Sequence, residues 1–227
     1  EEYRGVDIVF GGPPCQGFSV IGKMDPDDIR SQLIWSFLKA VEIIQPRAFV
    51  MENVKALAAI AKWKDVREEF IVKAKEMGYG CIPFIVNAAE YGTPQKRERV
   101  FFIGIKGEEE FGDKFLELLY KQKSKAPTIR ELFKDLGPAG TERNPKTCSA
   151  KITYAERPVM RKIPYDCLMF NGIGRPIDPD GYSRTITASQ GGNMTLIVDE
   201  EFLHNPNANT WIQEYYEKLV SHEVTPK

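Results

Sequence analysis

Three polar clusters in this sequence carry residue types that do chemistry, and each adjoins an apolar run. The first is Cys15, with Gln16 and Ser19, in VDIVFGGPPCQGFSV (6–20). The second is Glu52-Asn53, which closes RAFVMEN (47–53). The third is QKRERVFFIG (95–104), where Gln95, Arg97 and Arg99 lead into a run of apolar residues. Taken singly, each has a plainer reading. A free cysteine is commonly a small buried hydrophobe, and that reading is retained for Cys81, Cys148 and Cys167. A carboxylate or an arginine-rich run is commonly a solvated surface. Cys15 differs in its setting. Pro13 and Pro14 stiffen the backbone, and the glycines and polar residues around it do not pack a core. A thiol there is placed where a nucleophile is exposed.

A thiolate, a carboxylic acid and fixed guanidinium groups together suit addition to an electron-poor heteroaromatic ring. A thiolate attacks C6 of a pyrimidine only if the charge arriving at N3 is neutralised. A carboxyl group at N3 can donate that proton, and an arginine can bond O2 and hold the ring. Carbon 5 then becomes nucleophilic enough to accept a methyl group from a sulfonium donor. That chemistry requires all three clusters at one edge of one scaffold. The arginines, if close, would also favour the Cys15 thiolate.

The surrounding pattern supplies such a scaffold. Val6 to Gly11 reads as a buried strand. Ile29 to Ile44 reads as a helix with Leu33, Ile34, Phe37, Leu38, Val41 and Ile44 on one face, stopped by Pro46. Ala48 to Met51 is a second strand. Lys64 to Met77 is a second helix, ended by Gly78. Ile82 to Val86 and Val100 to Ile105 complete the strands. Strands alternating with helices predict an α/β fold with a parallel sheet, whose chemistry gathers beyond the carboxyl ends of the strands. Glu108 to Lys123 and Thr128 to Leu136 read as further helices. Residues 137–181, rich in Pro, Gly, Asn and basic side chains, read as an irregular small domain. Asn209 to Val220 reads as a helix whose apolar stripe (Trp211, Ile212, Tyr215, Tyr216, Leu219) packs a core.

Composition sets outer limits. The 227 residues are 42% hydrophobic, enough for a sizeable core. A net charge of −1 argues neither for nor against nucleic acid, because local patches decide that. Four scattered cysteines and two histidines give no pattern for a zinc site or a disulfide framework, so no metal is expected. A reducing intracellular setting fits them. No apolar run approaches the roughly 18 residues of a membrane span.

In order, GGPPCQGFS (11–19), RSQL (30–33), ENV (52–54), YGTPQKRERVFFIG (91–104) and SRTITA (183–188) resemble the cytosine-5 DNA methyltransferase family over nearly the whole chain. The resemblance implies a Rossmann-like, S-adenosylmethionine-dependent methyltransferase sheet, here partial, with a small irregular target-recognition domain. It implies a catalytic α/β domain over 1–124, the recognition domain over 125–190, and a return segment over 191–227. Cys15 would bond C6 of a flipped cytosine, Glu52 would bond N3 and the exocyclic amine, and Arg99 would bond O2. Arg97 would support the catalytic loop or the phosphates. Pro14 and Leu33 would line the S-adenosylmethionine pocket. Gln16, Ser19, Gln95 and Arg175 would contact nucleic acid, with Gly17 and Gly22 as hinges of a closing loop. Thr185 and Thr187 would seat the small domain.

The family's opening glycine-rich cofactor block and its last block have no counterpart here. The expectation is therefore a fragment or a subunit, with flanking segments or a second chain supplying most of the cofactor site and little activity alone. Its partner would be double-stranded DNA, its setting the bacterial or archaeal cytoplasm near the nucleoid, and its role the modification half of a restriction system. Two other readings stay open: methylation of tRNA, against which Gly17-Phe18-Ser19 speaks, and a non-catalytic DNA-binding subunit, which has no need of Cys15, Glu52 and Arg99.

Overall fold

The computed structural model describes residues 3–14, 32–147, 152–154, 158, 160, 162–165, 170–172, 175–186 and 196–226. For 152–154, 170–172 and 175 it describes the backbone alone. The chain divides into two compact units. One comprises 1–87 with 98–123, the other 88–97 with 124–227.

The first unit is built on a four-stranded sheet. Its elements are β1 (Ile8–Gly11), α1 (Leu33–Ile44), β2 (Ala48–Val54), α2 (Lys55–Ala59), α3 (Lys64–Glu76), β3 (Tyr79–Asn87), β5 (Glu98–Lys106) and α4 (Gly112–Lys121), with β4 (Gln95–Lys96) assigned to the second unit. The strand order is β1-β2-β5-β3. β1 and β2 run parallel, from Ile8 opposite Ala48 to Gly11 opposite Met51. β5 departs from the all-parallel expectation. It lies between β2 and β3 and is antiparallel to both. The reason is the connection: only residues 88–97 separate β3 from β5, and a parallel return needs a crossover of a dozen or more residues.

Period-2 alternation assigns the two faces of the sheet. Phe49, Met51, Val100 and Phe102 point to one side and meet Ile34, Leu38 and Val41 of α1 and Phe70 and Ala74 of α3. Phe49 is the hub, edge-on to Phe37, Phe70 and Tyr79 at centroid distances of 6.0, 6.2 and 5.3 Å. Gly104 makes room for it: a Cβ there would lie 2.0 Å from the Phe49 ring. Tyr79 is buried against the same cluster, its hydroxyl donating to the Pro46 carbonyl at 2.6 Å. On the other side, α4 packs Phe115 against Phe84, which stacks on Phe101.

The second unit has small paired strands and short helices. β4 pairs in parallel with β9 (Ser183–Arg184), so Gln95 lies opposite Ser183 and Lys96 opposite Arg184. β6 (Ile152–Tyr154) pairs with β7 (Phe170–Gly172), and β8 (Arg175–Pro176) with β10 (Leu196–Ile197). α5 (Ile129–Phe133) begins in a capping box between Thr128 and Glu131, and α6 (Glu200–His204) is capped by Asp199. α7 (Trp211–Val220) buries Ile212, Tyr215 and Leu219 of its expected stripe; Trp211 stays 37% exposed at the first turn. Tyr165 stacks on Phe202 at 4.8 Å and bonds Asp199 and Thr210 through its hydroxyl. Burial raises the Tyr165 pKa, which keeps that hydroxyl protonated. Arg130 joins both sides of the unit. It pairs with Asp180 through two nitrogens, at 2.6 and 3.0 Å, and donates to the carbonyls of Phe202 and Leu203 at the end of α6.

Candidate active site

β2 and β5 bring two of the expected residues together. Val54 lies opposite Arg99 and Glu52 opposite Phe101, so Glu52 and Arg99 are diagonal neighbours on one face. Diagonal partners are within reach of long side chains. The Arg99 Nε–H meets Glu52 Oε1 at 2.8 Å, and Arg99 Nη1 donates to the Glu98 carbonyl at 2.8 Å. The guanidinium is thus held at two points. With side-chain exposures of 19% for Arg99 and 34% for Glu52, water screens this pair less than it screens a surface pair. Beside it, Lys55 bonds Glu98 at 2.7 Å. The sequence reading missed this second pair: Glu98 lies inside YGTPQKRERVFFIG and Lys55 directly follows ENV, but nothing in the sequence links two residues 43 apart.

The other Glu52 oxygen faces the loop after β1. A Cβ placed on Gly12 would lie 3.3 Å from Oε2, so the bare glycine lets the two segments approach this closely. The carboxyl end of β1, the carboxyl end of β2 and the amino end of β5 form one sheet edge. Pro14 is exposed just past β1. Leu33, 37% exposed, opens α1 one turn before Phe37, whose ring lies against Gly11. Both residues therefore belong to this same edge.

The remaining candidates are placed as follows. Gln95 and Arg97 are half-buried residues of the second unit, where the Arg97 carbonyl accepts from Ala88 N–H. Thr185 donates to the Lys96 carbonyl at 3.0 Å. Arg175 opens β8, and its side chain is outside the description. Cys15, Gln16, Gly17, Ser19, Gly22 and Thr187 lie outside the described residues, as do Cys148 and Cys167. Cys81 packs against the main core, and burial pushes its thiol up to about 12, which makes it inert at neutral pH.

Asn53 also escaped a role in the sequence reading. It is 1% exposed, on the same inward face as Phe49 and Met51. The signal was present: in FVMEN the inward positions alternate Phe, Met, Asn, and a buried amide requires partners.

Comparisons with known proteins bear on the family and the fold. A sequence model described as C-5 cytosine-specific DNA methylase matches residues 1–225. The type II methyltransferase M.DdeI of Desulfomicrobium norvegicum is 37% identical over 134 residues, 58% of this chain and 32% of that protein. The type II methyltransferase M.HindV of Haemophilus influenzae is 34% identical over 178 residues, 78% of this chain and 54% of that protein. The chain spans about half, or less, of the length of these curated relatives. The structure of the Dnmt2 methyltransferase of S. pombe matches with a TM-score of 0.51 at 17% identity, covering 96% of this chain and 61% of that one. That likeness is one of fold, and it bears out the partial α/β sheet. No helix among the described residues is long and apolar enough to cross a membrane. With its family match running almost from end to end, the chain belongs to the C-5 cytosine-specific DNA methylases.

Proposed function

We propose that this chain carries the chemical centre for methylating C5 of a cytosine flipped out of duplex DNA, as the modification enzyme of a restriction system. The observation that carries the reading is the Glu52–Arg99 pair at the sheet edge from which the chain runs on to Cys15. The type II methyltransferase names of the relatives support the restriction context.

In this reading the Cys15 thiolate adds to C6 and forms a C–S bond. The displaced electron pair moves toward N3, where the Glu52 carboxyl donates a proton. Arg99 bonds O2 and steadies the charge that develops across the ring. C5 becomes nucleophilic and acquires the methyl group. Loss of the C5 proton to a base then expels the thiolate, and N3 returns its proton to Glu52. The target must leave the stack first, because C5 and C6 are shielded inside a duplex. Gln16, Ser19, Gln95 and Arg175 contact the nucleic acid, and Arg97 supports the loop that closes over it.

S-adenosylmethionine, when bound, supplies the methyl group on a sulfonium. The exposed apolar side chains of Pro14 and Leu33, on the edge that also holds Glu52, fit its uncharged part. They would hold the donor beside C5.

The test is methyl transfer measured on duplex DNA and on tRNA. DNA bearing 5-fluorocytosine, which cannot lose a C5 proton, should be captured covalently by the parent and not by Cys15→Ala. Methylation of tRNA alone, or equal capture by Cys15→Ala, overturns the reading.

A further inference from the structure

The β1–β2 ladder ends at Gly11 opposite Met51, and past its end the Asn53 side chain reaches from β2 to the next segment. Pro13 and Pro14 have no N–H, so the chain beyond Gly12 cannot continue the ladder as a donor. The Asn53 side chain crosses instead: Nδ2 donates to the Pro13 carbonyl at 3.3 Å. Its orientation is settled by a neighbour. The Val54 N–H donates to Asn53 Oδ1 at 2.9 Å, and only the oxygen of an amide can accept it. Nδ2 must therefore face Pro13. A side chain 1% exposed has no water to bond in exchange, so the contact is costly to break.

This bond fixes the carbonyl two residues before Cys15, and Gly12, one residue before that carbonyl, is the glycine that lies against Glu52 Oε2. Asn53 also follows Glu52 directly in β2. One buried amide thus ties the strand holding the acid to the segment leading to the thiol.

We propose that Asn53 is a positioning residue for the proposed reaction: it holds Gly12 and Pro13, which lead in sequence to Cys15, beside Glu52. The proposal rests on the methyltransferase reading above. Asn53 touches no substrate; it acts through Pro13. Its loss should slow covalent addition and leave DNA affinity intact.

Asn53→Asp tests this with almost no change of shape. The carboxylate still accepts from Val54 N–H but turns an acceptor toward the Pro13 carbonyl. Single-turnover capture of 5-fluorocytosine DNA should fall about 10- to 100-fold, the scale on which small misplacements of reacting groups act, while KM for DNA stays within about twofold. Asn53→Ser, which is too short to reach Pro13, should fall on the same side. Capture within about twofold of the parent, or KM rising in step with lost capture, overturns the proposal. If neither variant folds, the parent decides by NMR. Asn53 side-chain amide protons exchanging at least about tenfold more slowly than exposed asparagines support the bond, and exchange at the exposed rate overturns it. A parent that captures no DNA even with the cofactor-site segments supplied defeats the functional reading alone. Iodoacetamide alkylation of Cys15 then reports on Asn53 directly: an altered rate in Asn53→Asp supports its role, and an unaltered rate removes it.

Discussion

Arg99 reaches Glu52 diagonally across two antiparallel strands, its Nε 2.8 Å from Oε1, and this pair is the acid and the guanidinium of the proposed reaction already in register. Neither group needs a loop movement to find the other. In the proposed reaction each would act from a preorganised position. Arg99→Ala should lower single-turnover methyl transfer about 10²- to 10³-fold, the usual cost of removing one such donor. Glu52→Gln keeps the shape and loses the proton, and should cost about 10²- to 10⁴-fold. Rapid-quench assays of methyl incorporation into duplex DNA check both. Near-parental rates would remove the pair from the chemistry.

Cys81 is the control for the nucleophile. Burial holds its thiol near 12, so almost none is thiolate at neutral pH. Iodoacetamide at pH 7.5, a condition set about one unit below the ordinary thiol value, should leave Cys81 unlabelled in the folded protein and label it once denatured. Cys81→Ala should preserve turnover, because Cys81 packs against the core. Peptide mass mapping of the alkylated protein reads the first outcome and the methyl-transfer assay the second.

These two predictions separate what was legible in the sequence from what was not. The strand ending in Glu52 and the strand following Arg99 were visible as apolar runs, and that was enough to expect the residues at one edge. The direction of β5 was not visible in the same pattern, because alternation reports which face is buried and not which way a strand runs. The ten-residue link 88–97 decided it. Arg130 and Asp180 are fifty residues apart in irregular sequence, and no periodicity links them. Asn53 was readable as a buried amide, but its partner, a proline carbonyl forty residues earlier, became visible only with the parallel register of β1 and β2.

The Arg130–Asp180 pair gives the second unit a pH dependence with a defined sign. The hydrogen bond from Arg130 lowers the Asp180 pKa below the usual carboxylate value. A group depressed in the folded state stabilises above its unfolded value, about 3.9, and loses that contribution as pH falls through the folded value. The Asp180 side chain is 55% exposed, so solvent screening keeps the contribution below about 1 kcal/mol. Urea unfolding of the parent and of Asp180→Asn should differ at pH 6 and converge in acid, below about pH 3.9. A constant difference across that range would assign the effect to packing and not to charge.

Gly104 should resist replacement in the sheet that holds the site. A Cβ there would fall 2.0 Å from the Phe49 ring, and the ring cannot retreat: Phe49 is fully buried, with Phe37, Phe70 and Tyr79 edge-on to it. Overpacking of this kind costs about 1–3 kcal/mol or more, and Gly104→Ala should lie at the upper end. The strain has a specific remedy. In a Phe49→Leu background, where the smaller side chain vacates the contact, the same Gly104→Ala change should cost markedly less, a coupling of about 0.5–3 kcal/mol in a double-mutant cycle. Because Phe49 and Gly104 pair directly across β2 and β5, the same strands that carry Glu52 and Arg99, methyl transfer by Gly104→Ala should fall with stability and return in the double variant. Strictly additive stabilities would place the cost of Gly104→Ala in the backbone, away from the aromatic hub.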